Sequence, residues 1–536
     1  MKQSISATIA AALVAFTSCC STFAQHPDKH ASDSAPLLGE VSFATTCAPA
    51  AHEAFNKALL YQHSFWYRAA RQTFEQALGI DPTCAIAHWG IAQSLLMNPY
   101  AAPPPENLRE GLAALHRAQA LEIGSQREHD FISALVSFYS EHDKLDHRSR
   151  VQAYLRAMEA LAARYPADDE SQIFYALALT VAAPPEDKTY ALQLRAAGIL
   201  APIFMRKPRH PGVAHYLVHS YDFPATAERG IEAATRYAEV AGASPHALHM
   251  PSHIFTRVGY WRESIAANLR SAKVAGEDKE PDDQLHAMDY LVYAYLQLAL
   301  DDDALRAIHE MKKVAGVNPA RHTGPFALAA STARYYIERE DWKGAAAITL
   351  VPTRFPHVDA ITHFARSLGA ARAGNVDAAR EDWKSLAALR DTLFQRRDVY
   401  WAEQIGIQCD AADAWILYAQ DKRDEALRRL AAAADAEDKT EKHVVTPGPL
   451  APAREMYASM LLSVGRAAEA ADAFEAALRK EPRRMNATLG AARAAEQAGM
   501  RDRAREHYTS ALSLAGATSS PRRELGQAKA FLSSNP

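Results

Sequence analysis

The sequence predicts an all-α protein built as a solenoid of helix-turn-helix pairs, and three observations support that prediction. The chain has 536 residues, about three or four domains' worth, so it is either multi-domain or a long repeat array. Its 49% hydrophobic and 23% charged residues are typical of a globular protein and not of a disordered one. The third observation is a spacing of small and bulky residues that recurs near both ends of the chain.

The recurring spacing places small residues where two helices cross closely and bulky residues in the gaps between them. Its first copy consists of Ala58, Tyr61, Ala70, Phe74, Ala77 and Pro82. Two more copies consist of Ala458, Leu461, Gly465, Ala470, Phe474, Ala477 and Pro482, then Ala492, Gly499, Ala504, Tyr508 and Ala511. This is the spacing of the tetratricopeptide repeat (TPR), a unit of about 34 residues. Stacked TPRs form a right-handed superhelix with a concave groove, which we expect over most of the chain.

The chain begins with an apparent export signal. Lys2 precedes an apolar stretch, residues 5–16, that is too short to span a bilayer, and small residues lead up to Ala24. Cleavage after Ala24 would release the protein into the periplasm or the medium. A lipid attached at Cys19 is the alternative. The domains expected are a signal peptide (1–24), a flexible leader (25–46), amino-terminal TPRs (47–100), a central degenerate array with a histidine-lined groove (101–445), carboxy-terminal TPRs (446–515) and a tail or capping helix (516–536).

Composition narrows the classes of partner. Lysine and arginine total 59 against 63 acidic residues, a net charge of -4, which disfavours nucleic acid and gives no basic patch for a membrane surface. The mature chain has no apolar run long enough for a transmembrane segment. Protein, peptide or small-molecule ligands remain. Cys47 and Cys84 each lie just before a repeat, so we expect them to form a disulfide in an oxidising compartment, and we expect Cys409 to be a buried apolar residue.

Several strings carry a narrower resemblance. They are YQHSFWYRAA, DPTCAIAHWGIA, HPGVAHYLVHSYD, SPHALHMPSHIFTRVGYW, LHAMDYLVYAYLQ and EKHVVTPGPLAPARE. From about Cys47 to about Ala511 the chain resembles a family of secreted bacterial TPR proteins of similar length. The resemblance implies the fold and export, and it implies no particular reaction.

Histidines concentrate on one predicted face of three consecutive repeats. If Gly259 is the glycine of a repeat turn, His246, His249 and His253 share the helix face that lines the groove in TPR proteins. The groove positions of the neighbouring repeats are His215 and His219 before this segment, and His286, Asp289, Tyr293 and Gln297 after it. Pro251 is tolerated mainly in a first helical turn, so we expect the helix to begin near His249 or Met250 and to leave His246 in the loop before it.

Histidines four residues apart can present two imidazoles to one metal ion. We therefore expect His215, His219, His249 and His253, on two neighbouring helices, to form one four-nitrogen site for zinc, copper or iron. His246 is too far along its helix for the same ion and requires a second ion or a positioning role. The candidates for proton transfer are His246, His286 and Asp289.

The remaining groove residues are predicted to contact a ligand. They are Tyr293, Gln297, Arg334 and His63, together with Asp222. Two alternatives to a metal site are a polar, anion-binding groove and a purely structural set of histidines.

Two functions follow. The first is an exported TPR superhelix that binds a protein, a peptide or a small ligand in its histidine-lined groove, with or without a transition metal. The second is a periplasmic metalloenzyme, a hydrolase or an oxidoreductase, that uses a multi-histidine site in the groove. No zinc-protease helix, nucleophile elbow, phosphate loop or dinucleotide glycine pattern supports another chemistry.

Overall fold

The structure is a computed structural model that describes residues 38–121, 125–517 and 520–534. The expected signal peptide and its cleavage after Ala24 lie outside the described residues. Within them the secondary structure is helical and contains no strand. Helices adjacent in sequence pack against each other along the chain, as in a TPR-like solenoid, so the predicted fold class is correct. No described helix is both long and apolar enough to cross a membrane.

The helices fall into three stretches of chain. The first contains α1 (Pro49–His63), α2 (Tyr67–Ile80), α3 (Ala85–Leu95), α4 (Pro105–Ala120), α5 (Gln126–Tyr139), α6 (His147–Arg164), α7 (Asp169–Ala182) and α8 (Ala191–Arg206). The second contains α9 (Pro211–Tyr221), a short 3-10 helix (Ala227–Gly230), α10 (Ile231–Val240), α11 (Pro245–His249), α12 (Pro251–Val258), α13 (Trp261–Glu277), α14 (Pro281–Gln297), α15 (Asp301–Met311) and α16 (Thr323–Glu338). The third contains α17 (Trp342–Ala346), α18 (Pro356–Arg372), α19 (Val376–Gln395), α20 (Val399–Ala419), α21 (Arg423–Glu437), α22 (Ala453–Ser463), α23 (Ala467–Lys480), α24 (Met485–Gln497), α25 (Arg501–Ala515) and α26 (Arg523–Ser534).

The two ends of the solenoid use the same packing device. A Cβ atom added at Gly90 would lie 2.4 Å from the ring of Phe74, and one added at Gly490 would lie 2.3 Å from the ring of Phe474. In both places a phenylalanine on the second helix of a pair presses against the glycine of the next helix. The phenylalanines were identified from the repeat spacing, and the structure adds the reason why their neighbours are glycines.

The expected flexible leader is ordered where the structure describes it. Phe43 is completely buried and packs against Phe55 and Phe131, with ring centroids 5.2 and 5.1 Å apart. The predicted disulfide joins Cys47 to Cys84, and Cys409 is buried as a free thiol. Residues 38–46 therefore belong to the packed domain, because burial of an aromatic side chain outweighs the entropy of a short polar segment.

Pro251 starts a helix in the central stretch, but His246 lies on a short helix of its own and not in the loop that was expected. Helix α11 ends at His249 and α12 begins at Pro251. The side chain of Ser244 caps α11 by accepting a hydrogen bond from the backbone N–H of Ala247. Gly259 has a φ of +71° and ends α12 in the left-handed conformation, which glycine adopts without strain.

The carboxy-terminal helices pack back onto the central ones. Arg484 is buried and donates hydrogen bonds to Tyr293 Oη at 2.7 Å and to Glu338 Oε1 at 2.6 Å. Gln297 Oε1 accepts the backbone N–H of Met485 at 3.0 Å. The face of α14 that was expected to line an open groove is therefore covered by the chain itself.

Candidate metal centre: a chamber of six histidines

Six histidines from four helices of the central stretch meet in the interior. We call them the histidine chamber: His215 and His219 on α9, His246 and His249 on α11, His253 on α12 and His286 on α14. Residues four apart on a helix lie on the same face, which explains the pair on α9. His249 and His253 are also four residues apart and contact each other, whereas His246 contacts His215 on α9.

The first three histidines converge through their Nε2 atoms. His215 Nε2 lies 3.1 Å from His219 Nε2 and 3.2 Å from His246 Nε2. His215 Nδ1 donates to the backbone carbonyl of His63 at 2.7 Å. Because a carbonyl only accepts hydrogen bonds, His215 carries its proton on Nδ1, and its Nε2 points a lone pair at the other two rings.

The second three are His249, His253 and His286. His249 Nε2 lies 3.1 Å from His253 Nε2, and the ring of His286 lies 4.4 Å from that of His249, centroid to centroid. In each group of three, one nitrogen per histidine lies within 4.8 Å of those of the other two. His286 also has a buried Nδ1 with no hydrogen-bond partner.

The tautomers of His249 and His253 are determined by their neighbours. His249 Nδ1 donates to Asn268 Oδ1 at 2.7 Å, since the amide nitrogen of Asn268 is used by the carbonyl of Ser264 at 2.8 Å. His253 Nδ1 donates to the carboxylate of Asp222 at 2.9 Å. Both rings therefore direct an unprotonated Nε2 toward the other. Tyr290 Oη also lies 3.4 Å from His253 Nε2, but its single proton is shared with the carbonyl of Thr446 at 3.2 Å. The two facing lone pairs are thus repulsive without a cation between them.

Burial keeps these imidazoles neutral. It lowers the pKa of His215, His219, His246, His249 and His286 well below the usual 6.5. Burial also lowers the pKa of His253, although Asp222 partly offsets it. A proton is thus a poor candidate for the cation between the rings. Three nitrogens at about 2.0–2.1 Å from one tetrahedral ion are separated by about 3.3 Å, close to the separations observed here.

Outer residues hold the ligands in place. Asp222 accepts from His253 and from Arg257 Nε at 2.9 Å, and its carboxylate lies 3.4 Å from Lys442 Nζ. Burial alone would raise the pKa of Asp222, but Lys442 and Arg257 hold it well below its usual range. Burial lowers the pKa of Lys442 to about 8. A carboxylate behind a metal-binding histidine fixes the ring and increases its basicity.

An aromatic side chain closes the first group. The ring of Phe65 lies 4.3 Å from that of His215 and 5.5 Å from that of His246, centroid to centroid. Phe65 has a φ of +53°, a costly conformation for a bulky residue that persists only where packing imposes it. The turn between α1 and α2 is therefore held against the chamber.

The chamber regroups the four ligands that were expected to share one ion. His215 and His219 belong to one group and His249 and His253 to the other; His246 completes the first and His286 the second. The physical reason is that His246 and His253 are seven residues apart, about 10.5 Å along a helix axis at 1.5 Å per residue, which is too far for one ion. A second ion, one of the two alternatives for His246, fits this arrangement.

Asp289 is completely buried, and its two carboxylate oxygens differ. Oδ1 accepts from Ser331 at 2.9 Å and from Arg334, whereas Oδ2 has no hydrogen-bond partner. Burial raises the pKa of this carboxyl although Arg334 partly offsets the effect. A role for Asp289 in proton transfer stays a prediction.

The expected groove residues do not line an open groove. Tyr293, Gln297, Arg334 and His63 are all completely buried. Arg334 donates to Thr446 Oγ1 at 2.6 Å and to the carbonyl of Gly448 at 3.0 Å, so the segment between α21 and α22 fills the space beside it. Long-range contacts of this kind leave no periodic signal in a sequence.

A further buried group contains His63, Glu170 and His210. Glu170 accepts from His63 Nε2 at 3.1 Å and from His210 Nε2 at 2.9 Å. The other nitrogen of His210 accepts the backbone N–H of Val213, and that of His63 contacts Tyr216 Oη at 3.0 Å. Every ring nitrogen has a partner, so this group, which we call the Glu170 network, needs no ion. It holds the carbonyl that orients His215.

Sequence reasoning missed several supporting residues. Asn268 and Glu170 were not identified, and Phe65 and His210 were only part of family-like strings. Asn268 lies on α13 with no motif around it, so only the fold brings it to His249. His210 directly precedes the proline that starts α9, a capping position that could have indicated its role.

Known proteins agree with the repeat assignment in one part of the chain. Residues 54–84 match the family model described as tetratricopeptide repeat, so the chain contains a TPR there. No curated protein matches the sequence significantly. Similar solved structures include yeast Tom70 (11% identity, 90% of this chain and 96% of that one, TM-score 0.35) and a human IFIT1 dimer with PPP-AAAA (12% identity, 88% and 98%, TM-score 0.38). A third is Cut9 in the APC/C hetero-tetramer Cut9-Hcn1 (11% identity, 89% and 96%, TM-score 0.29).

Proposed function

We propose that this protein is an exported TPR-like solenoid that binds transition-metal ions in the histidine chamber. The observation that carries the proposal is the pair His249 and His253, whose unprotonated Nε2 atoms face each other 3.1 Å apart. Both Nδ1 atoms are used by fixed acceptors, and burial disfavours protonation. A metal ion is the cation that best relieves this contact.

The chemistry of the donors narrows the metal. All six candidate ligands are imidazoles, which suit zinc, copper and iron. The chamber contains no cysteine ligand and no carboxylate in either three-histidine group. Calcium and magnesium, which require oxygen ligands, are therefore not expected.

The test is the metal content of the protein. The chain from Gln25, purified without a histidine tag, is expected to retain metal that elemental analysis detects, and the double variant His249→Ala/His253→Ala is expected to lose most of it. The matched control is His116→Ala/His129→Ala, which removes two exposed histidines and should change nothing.

Two further measurements distinguish loss of the metal site from misfolding of the variant. Circular dichroism compares the helix content of each variant with that of the unmodified chain. The single variant His286→Ala changes a residue that is only partly buried and should lower metal content by itself. Absence of metal from the unmodified protein after incubation with zinc, copper or iron would refute the proposal.

Export and partner binding complete the proposal. Cleavage after Ala24 is testable by amino-terminal sequencing of protein recovered from the periplasm or the medium. Repeat solenoids bind protein partners on extended surfaces, and the fold suggests the same here. Metal binding in the interior and partner binding on the outside are compatible functions.

A metalloenzyme is the second candidate. Each group supplies three protein ligands, the number that leaves a fourth position open in catalytic sites, whereas closed structural sites have four. The cobalt-substituted protein distinguishes the two. A visible spectrum that changes when azide is added indicates an open position, and an unchanged spectrum indicates a closed, structural site.

A further inference from the structure

The two groups of the histidine chamber are neighbours. His246 and His249, on the same short helix α11, belong to different groups, and their ring centroids are 6.5 Å apart. Within the groups, ring centroids are 4.4–6.4 Å apart. The rings of His246 and His249 are thus about as close across the groups as the most distant of these pairs within one group.

The chamber supplies no negative charge to metal ions. Its ligands are neutral imidazoles, and the nearest carboxylates are already paired. Asp222 is paired with Arg257 and Lys442, and Asp289 is paired with Arg334. Two divalent ions would therefore carry four positive charges into a buried site that already has cations in its walls.

Such a charge is costly in the interior of a protein unless an anion accompanies it. Pairs of metal ions about 3.5–4 Å apart commonly hold one small ligand between them. His215, His249 and His253 are at most 2% exposed, which restricts the ligand to a few atoms. A small anion would fill the fourth coordination position of each ion and would also offset part of the positive charge of the two ions.

We propose that the six histidines form one paired metal centre, in which two ions share a small bridging anion such as hydroxide. This proposal rests on the proposed function, because it requires that the chamber binds metal. It goes further by making the two groups interdependent and by specifying the ligand class, a small anion held by both ions.

Copper(II) tests the proposed pairing, because its electron paramagnetic resonance signal depends on whether two ions are bridged. When copper is added to the metal-free full-length mature chain, two equivalents are expected to bind. The electron paramagnetic resonance signal should rise with the first equivalent and fall below that level with the second, because bridged copper ions couple their spins. Azide should bind at one per two copper ions.

Single-group variants provide the control. His219→Ala disrupts the first group and His286→Ala disrupts the second, and each is expected to bind one copper with the full signal of one spin. His129→Ala, an exposed histidine, should behave like the unmodified protein.

The outcomes separate the two proposals. Two bound copper ions with a signal of two independent spins would refute the pairing and leave metal binding intact. One copper per unmodified chain would also refute the pairing. No bound copper, zinc or iron at any ratio would refute metal binding and the pairing together.

Discussion

Two buried histidine clusters lie side by side in this fold and have opposite hydrogen-bond patterns. In the Glu170 network each ring nitrogen has a complementary partner. In the chamber, His249 and His253 direct two lone pairs at each other. The difference shows that the number of buried histidines does not identify a metal site. The more informative feature is which ring nitrogen carries the proton. Where Nδ1 donates to the surrounding protein, Nε2 is left unprotonated and can bind a cation.

The largest effect is expected from Asp222→Asn. The change leaves Arg257 and Lys442 buried without their carboxylate, which should lower the free energy of unfolding by about 3–5 kcal/mol. It also removes the carboxylate behind His253, so metal affinity should fall about 10–100-fold. Denaturant titration and metal titration measure the two effects.

The chain offers a matched control for this change. Asp382 accepts from His363 Nδ1 at 2.8 Å and from Arg366 Nε at 3.0 Å, a similar arrangement away from the chamber. Asp382→Asn should reduce stability without altering metal affinity. Equal metal loss in both variants would contradict the role assigned to Asp222.

A smaller effect is expected from Glu170→Gln. Glutamine has one neutral oxygen acceptor in place of two charged ones, so one of the two histidine N–H groups loses its acceptor. The free energy of unfolding should therefore fall by about 2–3 kcal/mol. The metal content should stay unchanged because the network binds no ion. A variant that folds but loses its metal would show that the two clusters do not differ as described.

The smallest expected change in the free energy of unfolding, counted for each histidine, is the pH dependence of the metal-free protein. Burial lowers the pKa of the chamber histidines below 6.5, so below that pH the unfolded chain binds more protons than the folded one. Stability should therefore fall as the pH drops below about 6.5 toward 5, with a slope that approaches about 1.4 kcal/mol per pH unit for each histidine. Urea titrations at several pH values should show a steeper loss in the unmodified chain than in His249→Ala/His253→Ala.

The Glu170 carboxylate should respond in a lower pH range than the buried histidines, which include His63 beside it. Burial alone would raise the pKa of Glu170, but His210 and His63 outweigh it and lower the pKa below its usual 4.5. Its contribution is present above about pH 4.5 and is lost only as the pH falls further. A stability loss between pH 7 and 5 that Glu170→Gln removes would contradict this assignment.

The repeat pattern was sufficient for the fold. Ala58, Ala70, Phe74 and Ala77 are completely buried, and their copies near the carboxy terminus pack in the same way. These contacts lie within one repeat or between neighbours, so a local spacing determines them. For the same reason the six chamber histidines were found on one face, since a helix turn relates members of each pair.

The grouping of those histidines was decided by tertiary structure. Helix packing brings His246 to His215 on α9, and the packing of α14 brings His286 to His249. Asn268, Asp222 and the carbonyl of His63 then determine which nitrogen carries each proton. Residues far apart in sequence supply these partners, and a sequence records such contacts only as isolated polar residues. The sequence by itself determined the helices and the imidazoles available, and the tertiary structure decided where their lone pairs meet, because hydrogen-bond direction depends on three-dimensional position.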